Sequence, residues 1–82
     1  MALPDWLPET FEEAGKNCKC VAEHFRNKCD LEPKPNDLSL LKYVADIEDE
    51  KGQFLLEASK SRDEAVWEKA CRVLTDGISA LR

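Results

Sequence analysis

Apolar residues recur every third or fourth position along almost the whole chain, and this periodicity is the feature that most constrains the fold. It forms three successive stripes, over residues 11–29, 40–58 and 66–81. A helix brings residues three and four apart onto one side, because each residue turns the chain by about 100°. No segment alternates with period two over a useful length, so a sheet is not expected. The residues expected in a shared helical core include Phe11, Ile47 and Leu74.

Prolines mark the segments that interrupt the stripes. Two near the start predict an extended N-terminal segment over residues 1–8, and two more predict a loop over residues 30–36. The helices between these segments are predicted at about 9–29, 37–59 and 62–81. We therefore predict an all-α fold in one domain of 82 residues, a small three-helix up-down-up bundle that a partner chain could complete.

Helix-capping signals agree with these limits. Thr10 with Glu13, and Ser61 with Glu64, have the spacing of capping boxes, in which the hydroxyl and the carboxylate satisfy backbone amides of the first turn. Gly52 lies inside the second stripe, where glycine costs about 1 kcal/mol relative to alanine. The sequence therefore allows a kink or break at Gly52.

Charge and composition limit the classes of function that we expect. The net charge is −5 and the basic residues are scattered among acidic ones, whereas nucleic-acid binding needs clustered Lys and Arg. No stretch approaches the roughly 20 apolar residues of a membrane span. The first residues lack a basic region followed by an apolar core, so we expect an intracellular protein, cytoplasmic by default. No residue pattern indicates a cofactor or a catalytic group, which predicts a protein that is not an enzyme.

Two of the four cysteines are candidates for a disulfide. Cys18 and Cys71 both lie on apolar faces, although free cysteine is also common in cores. In an up-down-up bundle the two would lie level, about 12 and 13 Å along the first and third predicted helices at 1.5 Å per residue. A bridge would close a loop of roughly 50 residues and add about 4 kcal/mol in the chain-entropy model, given an oxidising compartment. Burial as two free thiols is the favoured interpretation, and the disulfide is the alternative.

Cys20 and His24 are the candidates for metal or thiol chemistry. They lie one helical turn apart on the side opposite Cys18, so both could reach one ion from a single face. Cys18 and Cys29 point toward the core and cannot join them without unwinding the helix, and no paired CxxC motif is present. We therefore predict no metal site, and keep a metal- or thiol-dependent protein as the alternative function.

The apolar surface is the remaining functional signal, and it indicates protein–protein interaction. The second stripe is wider than one seam requires, so this helix either touches both neighbours or also meets another chain. The leading hypothesis is a small acidic adaptor or accessory subunit that binds another protein or forms a homo-oligomer. Its predicted contact residues are apolar positions outside a single core stripe: Trp6, Leu7, Leu38, Leu41 and Leu56.

Overall fold

The described residues form three α-helices, as predicted. The computed structural model describes residues 4–31 and 35–81, with side chains for residues 4–28 and 39–81. Within these ranges the chain has no strand. The elements are α1 (Leu7–Leu31), α2 (Pro35–Lys60), α3 (Glu64–Asp76) and a short 3-10 helix (Gly77–Leu81). The all-α prediction is confirmed.

The helix limits differ from the predicted ones near the prolines. Helix α1 begins at Leu7, so the predicted extended segment 1–8 is wrong for its last two residues. Pro8 fits there because the first turn of a helix leaves its amides unpaired, and a missing N–H costs nothing. The predicted loop 30–36 is also shorter, since α1 continues through Leu31 and α2 starts at Pro35. Residues 1–3 and 32–34 lie outside the described part.

Both predicted capping boxes are wrong. Thr10 lies inside the first turn of α1, and its hydroxyl donates to the carbonyl of Trp6 at 3.3 Å. The N-cap of α3 is Asp63, whose Oδ1 accepts from the amide of Ala65 at 2.9 Å. Ser61 instead accepts a hydrogen bond from the amide of Asp63 at 3.1 Å and so holds the short connection before α3.

Helices α1 and α2 form a long antiparallel hairpin in which small residues line the contact. Gly15 and Ala22 on α1, and Ala45 and Gly52 on α2, are all buried. Small side chains allow two helix backbones to approach closely. Helix α2 runs from Pro35 through Gly52 to Lys60 without a break, so the break that the glycine allowed does not occur.

Helix α3 packs on one face of the hairpin, near the end where α2 joins α3. The core there contains Phe11 and Leu55, both fully buried, with Trp67 from α3. The Trp67 ring meets Phe11 edge-on, with centroids 6.4 Å apart and planes at 69°. Its Nε1 donates to the carbonyls of Ala58 at 3.1 Å and Ser61 at 3.0 Å, which ties the start of α3 to the end of α2.

The third helix is shorter than predicted. Gly77 has φ of 74°, a left-handed conformation that ends α3 at Asp76, and its amide donates to the carbonyl of Val73. The 3-10 helix that follows places Leu81 against the core. Leu74 was predicted to be buried but is exposed.

Candidate protein interface

The α1–α2 hairpin has one charged face and one apolar face. On the charged face, Lys19 Nζ lies 2.6 Å from Asp49 Oδ1. Arg26 lies 3.4 Å from both Asp49 and Asp46. The lysine and the arginine hold the pKa of Asp49 below its usual range, chiefly through the hydrogen bond from Lys19. These ion pairs hold α1 to α2 beside a cleft that Leu81 of the 3-10 helix also lines.

The apolar face is covered by α3 over only part of its length. At 1.5 Å per residue, the 25 and 26 residues of α1 and α2 span about 37–39 Å, and the 13 residues of α3 span about 20 Å. The core cluster reaches no further than Cys18 on α1 and Phe54 on α2. Among the described side chains, the apolar face continues past this cluster along α2 from Ile47 to Leu40, about 10 Å toward the tip where α1 joins α2.

Helical spacing shows that the apolar side chains near the tip continue the face that α3 covers. Val21 and Phe25 follow Ala14 and Cys18 at steps of three and four residues. On α2, steps of four, three, four, three and four residues lead from Leu40 to Ala58. We call the uncovered part the tip face, and define it by Val21, Phe25, Leu40, Tyr43, Val44 and Ile47.

The tip face is exposed to solvent. Val21, Leu40 and Tyr43 are 40%, 63% and 56% exposed, and the other three residues are half-buried. Beneath them, the described core of this half contains only two small buried side chains, Ala22 and Ala45. Ile47 was predicted to lie in the core but is only half-buried, because no third helix reaches it.

A partly buried ion pair separates the tip face from α3. Lys51 Nζ lies 3.0 Å from Glu48 Oε1, and each side chain is only 20% exposed. The thiol of Cys18 lies beside Glu48 of this pair. Burial, and then the nearby negative charge of Glu48, raise the pKa of Cys18. Since the lysine and the glutamate neutralise each other, this border adds no net charge to the face.

The structure separates the predicted contact residues instead of gathering them on one surface. Trp6 is 61% exposed and precedes α1 at the opposite end from the tip. Leu7 is 6% exposed and belongs to the core, so its prediction as a contact residue is wrong. Because α1 begins at Leu7, this side chain lies on the helix face that packs in the core with residues of α3. Leu41 is half-buried near the tip. Leu56 is half-buried against Gly15, and the side chain of Leu38 lies outside the described part.

Cys18 and Cys71, the possible disulfide pair, are not bridged in the structure. Both are half-buried thiols that pack against the core cluster, as small apolar core residues do. Cys20 is an exposed free thiol.

The alternative metal pair, Cys20 and His24, gains no third ligand from the described side chains. His24 is exposed and meets the Phe25 ring edge-on, with centroids 5.8 Å apart. Among the side chains that the structure describes, no three His, Cys, Asp or Glu residues are grouped so as to hold a metal ion.

The tip face could have been found in part from the sequence. The apolar arc of α2 indicated such a face, because it is wider than the arc that one neighbouring helix can cover. The length of α3 could not be predicted from the sequence, because it depends on the backbone conformation of Gly77.

None of the described helices is both long enough and apolar enough to cross a membrane. A scan against protein-family models and searches of curated proteins and of solved structures found no match to this chain.

Proposed function

We propose that this chain is a non-enzymatic protein–protein interaction module, an adaptor or accessory subunit, and that it binds through the tip face. The observation that carries the proposal is the exposure of Val21, Leu40 and Tyr43 on the face that α3 covers elsewhere. The largest contiguous apolar patch on a protein surface is often a functional site, and larger ones mark sites of association.

The character of the face supports the same proposal. Its six side chains carry no charge, and the central parts of protein interfaces are depleted of charged residues and enriched in aromatic ones. Phe25 and Tyr43 supply two aromatic rings. Another face of the hairpin carries the ion pairs of Lys19 and Arg26 and suits exposure to water.

Native mass spectrometry of the tagged chain, purified from its own cells, tests this function. We expect a complex heavier than the 9.3 kDa chain. The double variant Val21→Glu/Leu40→Glu should be recovered as the chain alone, because association would bury two unpaired carboxylates. Asn27→Glu is the matched control, since it adds a carboxylate at an exposed position of α1 on another face. Equal complex masses for the wild type and the double variant would contradict the proposal.

A further inference from the structure

We infer that the part of the hairpin formed by residues 21–28 and 39–47, which we call the tip half, opens as a unit of its own. The base half, made up of residues 7–18, residues 51–60 and α3, stays folded during this opening. The inference goes beyond the proposed function, because it describes a conformational change of the chain on its own. It rests on the uneven distribution of buried side chains along the hairpin.

The base half contains the large buried side chains. Phe11 and Leu55 are fully buried, and Leu7, Trp67 and Val73 around them are at most 8% exposed. Burying one apolar side chain of this size favours the folded state by a factor of about 10 to 150 in the equilibrium constant. Several such contributions act together in the base half, so opening it is rare.

The tip half buries much less apolar surface. Among the side chains described there, the buried ones are those of Ala22 and Ala45, which carry one methyl group each. The larger side chains of the tip face are exposed or half-buried. The hydrophobic effect therefore holds the tip half closed more weakly than it holds the base half.

The ion pairs and the helices of the tip half do not offset this difference. Arg26 lies 3.4 Å from Asp46, but the two side chains are 49% and 75% exposed, and an ion pair with such exposure contributes little. The helical segments 21–31 and 35–47 are about 11 and 13 residues long, and isolated helices of this length are marginal in water. Their helical structure therefore depends on the weak packing between them.

Two contacts mark the border at which the opening stops. Glu48 and Lys51 form a partly buried ion pair at 3.0 Å, with each side chain 20% exposed. Gly15 and Gly52 bring the two helix backbones close together. Both contacts lie between the tip half and the large buried side chains of the base half, so they remain when the tip half opens.

Opening takes the tip face apart without unfolding the chain. Val21 and Phe25 on α1 separate from Leu40 and Val44 on α2, so the face exists only while the tip half is closed. A partner that binds the closed form favours it by mass action. This consequence rests on the proposed function, whereas the opening itself does not.

Amide hydrogen exchange of the purified full chain, resolved by residue with NMR spectroscopy, tests the inference. After correction for intrinsic exchange rates, amides of residues 21–28 and 39–47 should have opening constants about 10-fold or more above those of residues 11–15 and 52–58. Exchange in the tip half should also depend less steeply on urea, because its opening exposes less surface. Equal opening constants in the two halves, with the same urea dependence, would overturn the inference.

Ala70→Gly and Ala45→Gly are a matched pair of variants, because both alanines lie inside helices and are 0% exposed. Ala70→Gly should speed exchange in the base half about 10-fold and leave the tip half unchanged, since its contacts persist when only the tip half opens. Ala45→Gly should speed exchange in both halves, since its contacts are lost in either opening. If Ala70→Gly sped exchange equally in both halves, the hairpin would open as one unit and the inference would be wrong.

The inference and the proposed function fail separately. If the purified wild-type chain opens as one unit, the inference is wrong and the interaction function is unaffected. If the tip half opens separately but the double variant Val21→Glu/Leu40→Glu keeps the mass of the native complex, the proposed function is wrong and the inference stands.

Discussion

Gly15 on α1 and Gly52 on α2 face each other across the hairpin with no room for a side chain at either position. A Cβ atom at position 52 would lie 2.9 Å from the carbonyl oxygen of Gly15, and one at position 15 would lie 3.0 Å from the carbonyl oxygen of Gly52. Both contacts are with backbone, which cannot rotate away as a side chain can. The close approach of the two helices therefore depends on these two glycines.

We predict that Gly52→Ala destabilises the protein by about 1–2 kcal/mol. Alanine favours the helix by about 1 kcal/mol, but overpacking a tight contact costs about 1–3 kcal/mol, and here the helices themselves must separate. Urea unfolding measures the change. Gln53→Ala, at the next and exposed position, is the control and should change stability by less than about 0.5 kcal/mol. A Gly52→Ala variant as stable as the wild type would show that the contact is not tight.

Trp67→Phe should cost about 1–3 kcal/mol. The substitution keeps an aromatic ring beside Phe11 but removes the Nε1 donor. The carbonyls of Ala58 and Ser61 then lose a hydrogen bond at a site where Trp67 is buried. Trp6→Phe is the control within the same chain, because its ring is exposed and should be nearly neutral. Thermal unfolding compares the two, and equal melting temperatures would contradict the role of the Trp67 hydrogen bonds.

The sequence predicted the three helices because periodicity depends only on local geometry. Burial could not be predicted as well, since it depends on what lies opposite each stripe. Phe11 was predicted to be buried and is, because α3 covers it. Ile47 has the same periodicity but is only half-buried, because α3 does not extend over it. Leu74, on α3 itself, also fits the periodicity but is exposed. The tip face consists of residues such as Ile47.

The three glycines show a second limit of prediction from sequence. In the sequence they are alike, each isolated in a helical pattern. In the structure Gly15 and Gly52 permit close packing, whereas Gly77 adopts a positive φ and ends α3. Which role a glycine takes depends on a partner element or a backbone angle, and neither can be read from the residue itself.

Asp49→Asn should lower stability at neutral pH by about 0.5–1 kcal/mol, because it weakens the contacts with Lys19 and Arg26 at a site that is about one-third exposed. Since the pKa of Asp49 is lowered in the folded state, its contribution is complete above the unfolded value of about 3.9 and is lost as the pH falls through the folded value. The wild type and the variant should therefore converge only in strong acid. Urea unfolding from pH 7 downward measures the difference.

Asp46→Asn is the graded control for this pH dependence. The Asp46 carboxylate makes one 3.4 Å contact with Arg26 and is far more exposed than that of Asp49. Removing its charge should therefore lower the free energy of unfolding less than Asp49→Asn does. A gap between wild type and Asp49→Asn that widened as the pH fell would contradict the assigned direction.

Cys18 should be alkylated more slowly than Cys20 in the folded protein. Only the thiolate reacts, and burial together with the charge of Glu48 raises the pKa of Cys18, whereas Cys20 is exposed on the other side of the helix. Lys51 acts in the opposite direction, so Lys51→Gln should raise the pKa of Cys18 further and slow its reaction.

Iodoacetamide labelling followed by peptide mass spectrometry, between pH 7 and pH 9.5, gives the labelling rates of Cys18 and Cys20. The labelling rate of Cys18 should keep rising with pH after that of a thiol in urea has levelled off. Equal rates for the two cysteines in the native protein, or faster labelling of Cys18 in Lys51→Gln with the fold intact, would show that the Glu48–Lys51 pair does not control this thiol.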